Sequence, residues 1–168
     1  MLWTESIVAA LKRHDVKLIT YLPDTIVYRV LALIEKDPFF EMVPVAREEE
    51  CVVVLAGAYL GGMRGAMFAQ NSGFGNCVNA LASLAVPWQT PVLMFLGQRG
   101  EIGEFNVSQT GMGRATRPIL DALGIPHVTL TRAEEVESLT GDGIKLAYNT
   151  RTSIGFILPR QLTGGKDE

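Results

Sequence analysis

The sequence predicts a single α/β domain of three layers, in which a six-stranded, mainly parallel sheet carries helices on both faces. Three observations lead there. Strand-like apolar runs alternate with helical stretches along all 168 residues, the pattern of βα units. One run, residues 91–96, is apolar throughout, as a central strand covered on both faces must be. No repeat, linker or low-complexity segment interrupts a chain long enough to bury a full core, so residues 1–168 read as one domain.

Thr4 stands where a cap would start a first helix ending at Arg13, and residues 17–21 form the first strand. Asp24 or Thr25 caps a second helix that runs to Ile34, and a strand follows at 41–45. The third helix opens on Glu48-Glu49-Glu50, continues through Cys51 to Leu60 and stops at Gly61-Gly62. Residues 66–70 are the third strand, leading into a glycine-rich turn and a helix at 76–84. After the fourth strand, residues 97–111 are long, polar and rich in glycine, the composition of a functional or mobile loop. A helix at 114–123, a strand at 127–130, a helix at 133–149 and a strand at 153–158 complete the series. Residues 161–168 read as a frayed tail.

The third helix is the unusual one. Residues 51–60 have no polar face, so such a helix is expected to be covered on every side, by its own sheet and by a second chain. At least one of the three carboxylates in front of it then points into a dry interior. A carboxyl there is costly unless it is protonated or partnered, which makes it a candidate for chemistry.

Composition removes several alternatives. A net charge of −3 with scattered Lys and Arg offers no footprint for nucleic acid. The start of the chain lacks a secretory signal, and the longest apolar run, 51–63, is shorter than the roughly 20 residues a membrane span needs; a cytoplasmic protein without membrane contact is the expectation. Cys51 and Cys77 read as small core residues, not a disulfide. His14 and His127 are the only histidines, and neither has a second ligand at metal-site spacing, so no metal is expected on this chain.

In parallel α/β sheets, ligands bind beyond the carboxyl ends of the strands. That rule puts Pro23-Asp24, Arg47 to Glu50, Asn71 to Asn76 and Gln98 to Gly103 on one rim. Within it, Gln70-Asn71-Ser72-Gly73-Phe74-Gly75-Asn76 is neither a phosphate loop nor a dinucleotide fingerprint. A tight βα turn explains its glycines, but Asn71 and Ser72 are not needed for turning and both can bond a ligand. Asp24 suits either a cap or a ligand contact, and Arg47, Arg99 and Arg114 suit either solvent or an anion.

Arg47-Glu48-Glu49-Glu50, Ala58-Tyr59-Leu60, the 70–76 stretch, Asn79-Ala80-Leu81-Ala82-Ser83-Leu84, residues 97–101 and Gly113-Arg114-Ala115-Thr116 together resemble the pyrimidine-binding domain of thiamine diphosphate enzymes. Within that fold the chain looks like the family of sulfopyruvate decarboxylase alpha subunits, with phosphonopyruvate decarboxylases near relatives. The resemblance places the activating glutamate ten residues before Tyr59, which selects Glu49. It implies that Glu49 hydrogen-bonds the cofactor's aminopyrimidine, and that Glu49, Asn71, Ser72, Gly73, Phe74 and Gly75 bind thiamine diphosphate. Asp24, Gln98, Arg99, Gln109 and Arg114 are the implied contacts to a small anionic 2-oxo acid. The implied reaction is decarboxylation of 3-sulfopyruvate to sulfoacetaldehyde, with 3-phosphonopyruvate the alternative. A non-catalytic binding subunit is a further reading, and a nucleotide or flavin domain would leave the acidic triplet unexplained.

Gly141-Asp142-Gly143 is similar to the start of the metal–diphosphate motif of those enzymes. Val136, Leu139, Ile144 and Ala147 instead carry a helical stripe straight through it. The half of the site that grips diphosphate and Mg²⁺ is therefore implied to lie on a beta subunit, in a hetero-oligomer such as alpha2beta2.

Overall fold

Residues 2–164 are described by a computed structural model of the chain. The six strands are β1 (Val16–Tyr21), β2 (Glu41–Pro44), β3 (Arg64–Gln70), β4 (Leu93–Gly97), β5 (His127–Thr129) and β6 (Ile154–Leu158). They form one sheet in the order β2-β1-β3-β4-β6-β5, and every neighbouring pair is parallel. The helices are α1 (Trp3–Arg13), α2 (Tyr28–Ile34), α3 (Glu48–Leu60), α4 (Asn71–Ala80), α5 (Thr110–Ala122), α6 (Val136–Thr150) and the short α7 (Arg160–Thr163).

The alternation of side chains along each strand feeds two cores. On one face Ile7, Leu11, Val30, Ile34 and Ile144, from α1, α2 and α6, pack on Ile19, Phe68, Phe95 and Phe156. Phe68, Phe95 and Phe156 share one register across β3, β4 and β6 and stack at 4.6 and 4.7 Å between ring centroids. On the other face Val52, Leu55, Phe74, Leu81 and Leu120, from α3 through α5, pack on Leu18, Met67, Met94 and Ile157. β4 is buried from end to end, as its uninterrupted apolar sequence requires.

Several element starts differ from the sequence reading, each for a local reason. Thr4 is buried inside α1 and caps nothing; Leu2 holds the cap position and its N–H donates to Glu5. Neither Asp24 nor Thr25 caps α2: Asp24 Oδ1 accepts from Ile26 N in a turn at 25–27, Val27 holds the cap position, and α2 begins only at Tyr28. The 71–75 stretch is not a glycine turn before a helix at 76: it is the first turn of α4 itself. Beyond Ala80 that helix widens into a π-turn over Leu81–Ala85. α5 starts at Thr110, after a 3₁₀ turn at Val107–Gln109, so the loop after β4 is shorter than expected. Gly141–Gly143 lies within α6, as the stripe required. The expected tail is helical over 160–163 where α7 forms, and its last four residues, 165–168, lie outside the described residues.

α3 departs most tellingly. Cys51, Val52, Leu55 and Ala56 are buried against the sheet, but Val53 is 53 % and Leu60 80 % exposed, so one flank has no cover from this chain. The order of the sheet locates the rim that matters. β1 has β2 on one side and β3 on the other, so the path reverses there, and a crevice opens beyond the ends of β1 and β3.

Candidate active site

Arg47, in extended conformation, turns the chain from β2 into α3 and delivers three successive carboxylates that do different things. Glu50 folds back so that Ala46 N donates to it at 3.0 Å. Glu48 leans onto the first turn of α4, where Asn76 Nδ2 donates to its Oε2 at 2.9 Å. Gly73 leaves room for it, since a Cβ there would push the Glu48 carboxylate aside. Glu49 accepts from Arg47 Nε at 2.5 Å through Oε1, while its Oε2 is buried and has no partner. Of the three, it alone has an orphaned buried oxygen.

This chain by itself does not make Glu49 dry. Its side chain is 29 % exposed, not sequestered. The backbone N–H at its own position, then the Arg47 guanidinium, hold its carboxyl below the usual range. In this chain by itself the start of the helix wins over burial, and the group is ionised.

Next to the triplet, Asp24 follows β1 and Gln70 ends β3. Asp24 Oδ1 accepts from Ile26 N at 2.8 Å, and Oδ2 accepts from Gln70 Nε2 at 2.8 Å. Gln70 Oε1 in turn accepts from Ser72 Oγ at 2.5 Å. A cleft of about 160 Å³ lies between these residues and Glu48. A wider one of about 620 Å³ is bounded by Asp24, Tyr28, Gln70, Asn106 and Gln109. Gln109 Oε1 is buried without a partner, a second orphaned acceptor on this rim. Of the expected residues, Asp24, Ser72, Arg99 and Gln109 line these two clefts, and Gly73 lies against Glu48 beside them.

Other expected contacts do not. Asn71 is fully buried with all its hydrogen bonds made inside the chain. Phe74 is a core residue with no exposed surface. Gly75 faces Met112, whose Sδ a Cβ would approach to 3.3 Å. Gln98 is buried, donating to Arg99 O and Gly113 O. Arg99 borders the wider cleft but is no free cation: its Nε and Nη2 grip Glu104 at 2.6 Å each, with the two side chains 10 % and 6 % exposed. That fork holds Glu104 down to about 2. Arg114 is exposed and borders a different cleft, beside Arg160 and Gln161.

The sequence put Glu48, Gln70 and Asn76 on the rim but assigned none of them a role. The one available signal was helical spacing, since Glu48 and Glu49 point about 100° apart and cannot share a target. Cys51 and Cys77 are buried free thiols, and burial pushes Cys51 up to about 11 and Cys77 higher still. Among the described residues no cluster of three or more His, Cys, Asp or Glu is placed to hold a metal ion, and no helix is long and apolar enough to cross a membrane.

An all-parallel sheet with an acidic helix start facing a glycine-bearing one across its rim defines a class. The chain belongs to the thiamine pyrophosphate enzyme family of N-terminal TPP binding domains, whose model matches residues 1–135. At closer range it is similar to the sulfopyruvate decarboxylase subunit alpha of Methanothermobacter thermautotrophicus, 36 % identical over 92 % of this chain and 94 % of that one. It is also similar to the phosphonopyruvate decarboxylase of Streptomyces viridochromogenes, 34 % identical over 95 % of this chain but 41 % of that one. A solved structure, the 2-oxoglutarate:ferredoxin oxidoreductase of Magnetococcus marinus, superposes with a TM-score of 0.75 at 15 % identity, covering 97 % of this chain and 29 % of that one. That last likeness shows the fold.

The residues present fit one end of a thiamine cofactor. Glu49 Oε2 is an acceptor in search of a donor, as a glutamate opposite a protonated ring nitrogen would be.

Proposed function

We propose that this chain is the alpha subunit of a two-subunit, thiamine diphosphate-dependent decarboxylase that converts 3-sulfopyruvate to sulfoacetaldehyde and carbon dioxide. The observation that carries the reading is the nearly end-to-end likeness to a sulfopyruvate decarboxylase subunit alpha. The phosphonopyruvate decarboxylase likeness supports 3-phosphonopyruvate as the alternative substrate. Residues 1–168 serve as one pyrimidine-binding domain. A beta subunit supplies the diphosphate and Mg²⁺ site in an assembly such as alpha2beta2; the subunit name of the relative and the uncovered flank of α3 support it. A cytoplasmic location suits two buried thiols that stay free.

The bound cofactor supplies the nucleophilic carbon and the electron sink for loss of carbon dioxide. The chain's part is to hold protons and to orient. Glu49 shares a proton with the pyrimidine through Oε2, the oxygen that lacks a partner. Gly73 keeps the first turn of α4 open enough for Glu48 to fold onto it, leaving Glu49 to face the cofactor. Ser72 and Asp24 fix Gln70 at the cleft, and Gln109 lines the wider cleft, where its amide N–H is the group able to donate to an anionic substrate. Arg99 borders the wider cleft with its charge already offset by Glu104, so it is a weaker anchor for the anionic tail than a free cation.

Glu49→Gln in the reconstituted two-subunit enzyme tests this. Turnover of 3-sulfopyruvate is expected to fall roughly 10²–10⁴-fold. A change of less than threefold would mean that the subunit is not catalytic.

A further inference from the structure

Asn71 sits first in α4, yet its side chain turns away from the rim and into the protein. Its Oδ1 accepts from Arg99 N at 3.0 Å, and its Nδ2 donates to Arg99 O at 3.1 Å and to Thr116 Oγ1 at 3.2 Å. Both backbone polar groups of Arg99 are therefore gripped by one carboxamide. From there the bonds run outward in series. The Arg99 guanidinium holds Glu104 by two bonds, and the Glu104 carboxylate also accepts from Gly100 N and Asn106 N at 3.0 Å each. Asn106 Oδ1 accepts from Ser108 N at 3.1 Å and so caps the 3₁₀ turn Val107–Gln109. Gln109 ends that turn and lines the cleft.

We propose that Asn71, Arg99, Glu104 and Asn106 form one positioning relay that fixes Gln109 at the wall of the Asp24–Gln70 cleft. Asn71 is then a positioning residue for the substrate and does not touch the cofactor. Every link is buried or bonded at both ends, so a break at any point frees the same segment. Arg99 fills its place through its fork, which a lysine cannot reproduce. The catalytic side of this inference rests on the decarboxylase reading; the structural side does not.

Two variants, Asn71→Ala and Arg99→Lys, probe opposite ends of the relay, so one can stand if the other fails to fold. Hydrogen exchange of the chain is expected to show amides of 100–109 exchanging about tenfold faster in each variant, with the sheet unchanged. In the two-subunit enzyme, the KM for the 2-oxo acid is expected to rise about tenfold while the Kd for thiamine diphosphate stays within about twofold. Adding Asn71→Ala to a Gln109→Ala enzyme should raise KM no further, because both act through one contact. The relay is overturned if exchange in 100–109 is unchanged, if cofactor affinity falls with no change in KM, or if the two KM effects multiply. If the wild-type pair decarboxylates no 2-oxo acid, the functional reading fails, and the exchange result still decides the relay.

Discussion

Replacing Glu104 by Gln removes one charge and leaves shape and volume almost untouched, so the loss reports the Arg99 pair. In the folded chain, hydrogen bonds from the Arg99 guanidinium chiefly, then from Asn106 N and Gly100 N, hold the carboxyl at about 2 against an ordinary 4.5. At 1.36 kcal/mol per pH unit, that gap sets a ceiling of about 3 kcal/mol. Taking both groups out of water offsets part of that gain, and halving the ceiling leaves about 1.5 kcal/mol. For a domain of this size the variant should melt roughly 3–6 °C lower.

The pH dependence has a definite sign. A carboxyl depressed by folding stabilises above its unfolded value, and that contribution fades as pH falls through the folded value. Urea unfolding of wild type and variant should therefore differ by about 1.5 kcal/mol at pH 7, with the difference shrinking from pH 4.5 towards about 2. A difference that persisted undiminished to pH 3 would mean that packing, not ionisation, is responsible. No difference at pH 7 would show the fork to be energetically idle.

Phe95→Ala removes the middle ring of the Phe68–Phe95–Phe156 stack, which is fully buried, and should cost about 3–5 kcal/mol in denaturant melts. A loss below about 1 kcal/mol would show that the three-ring layer is not the centre of its core. Gly73→Ala forces the Glu48 carboxylate off Asn76 and should destabilise by at most about 1 kcal/mol, because better helix propensity offsets the lost bond. In a Glu48→Ala background that loss should vanish. If it does not, the helix start tolerates no side chain for another reason.

Most of the fold was legible because it is written in runs. β4 announces itself by having no polar residue, and the α6 stripe overrides the Gly-Asp-Gly inside it. The α4 start was misread because glycine disfavours helix and signals a turn. Here the glycines answer to neighbours instead: Gly73 makes room for Glu48 and Gly75 for Met112. The same holds for α5, where Gly113 lies against the backbone of Gly100. Packing decided these positions, and a single sequence does not display packing.

The site divides along the same line. The acidic triplet could be found because three carboxylates before an apolar helix violate a local rule, and the resemblance singled out Glu49 within it. The engagement of Arg99 could not, because a cation and a carboxylate five residues apart in a loop follow no periodicity. What stays unmet is the dryness of Glu49, and helical geometry says where it must come from. Glu49, Val53, Gly57 and Leu60 are four, four and three residues apart, one stripe along α3, and Val53, Gly57 and Leu60 are the exposed residues of that helix after its first turn. On the two-chain reading, a surface that covers Val53 and Leu60 also covers Glu49. Loss of water there raises the carboxyl against the pull of its backbone N–H and Arg47, so proton sharing would begin only when the second subunit docks.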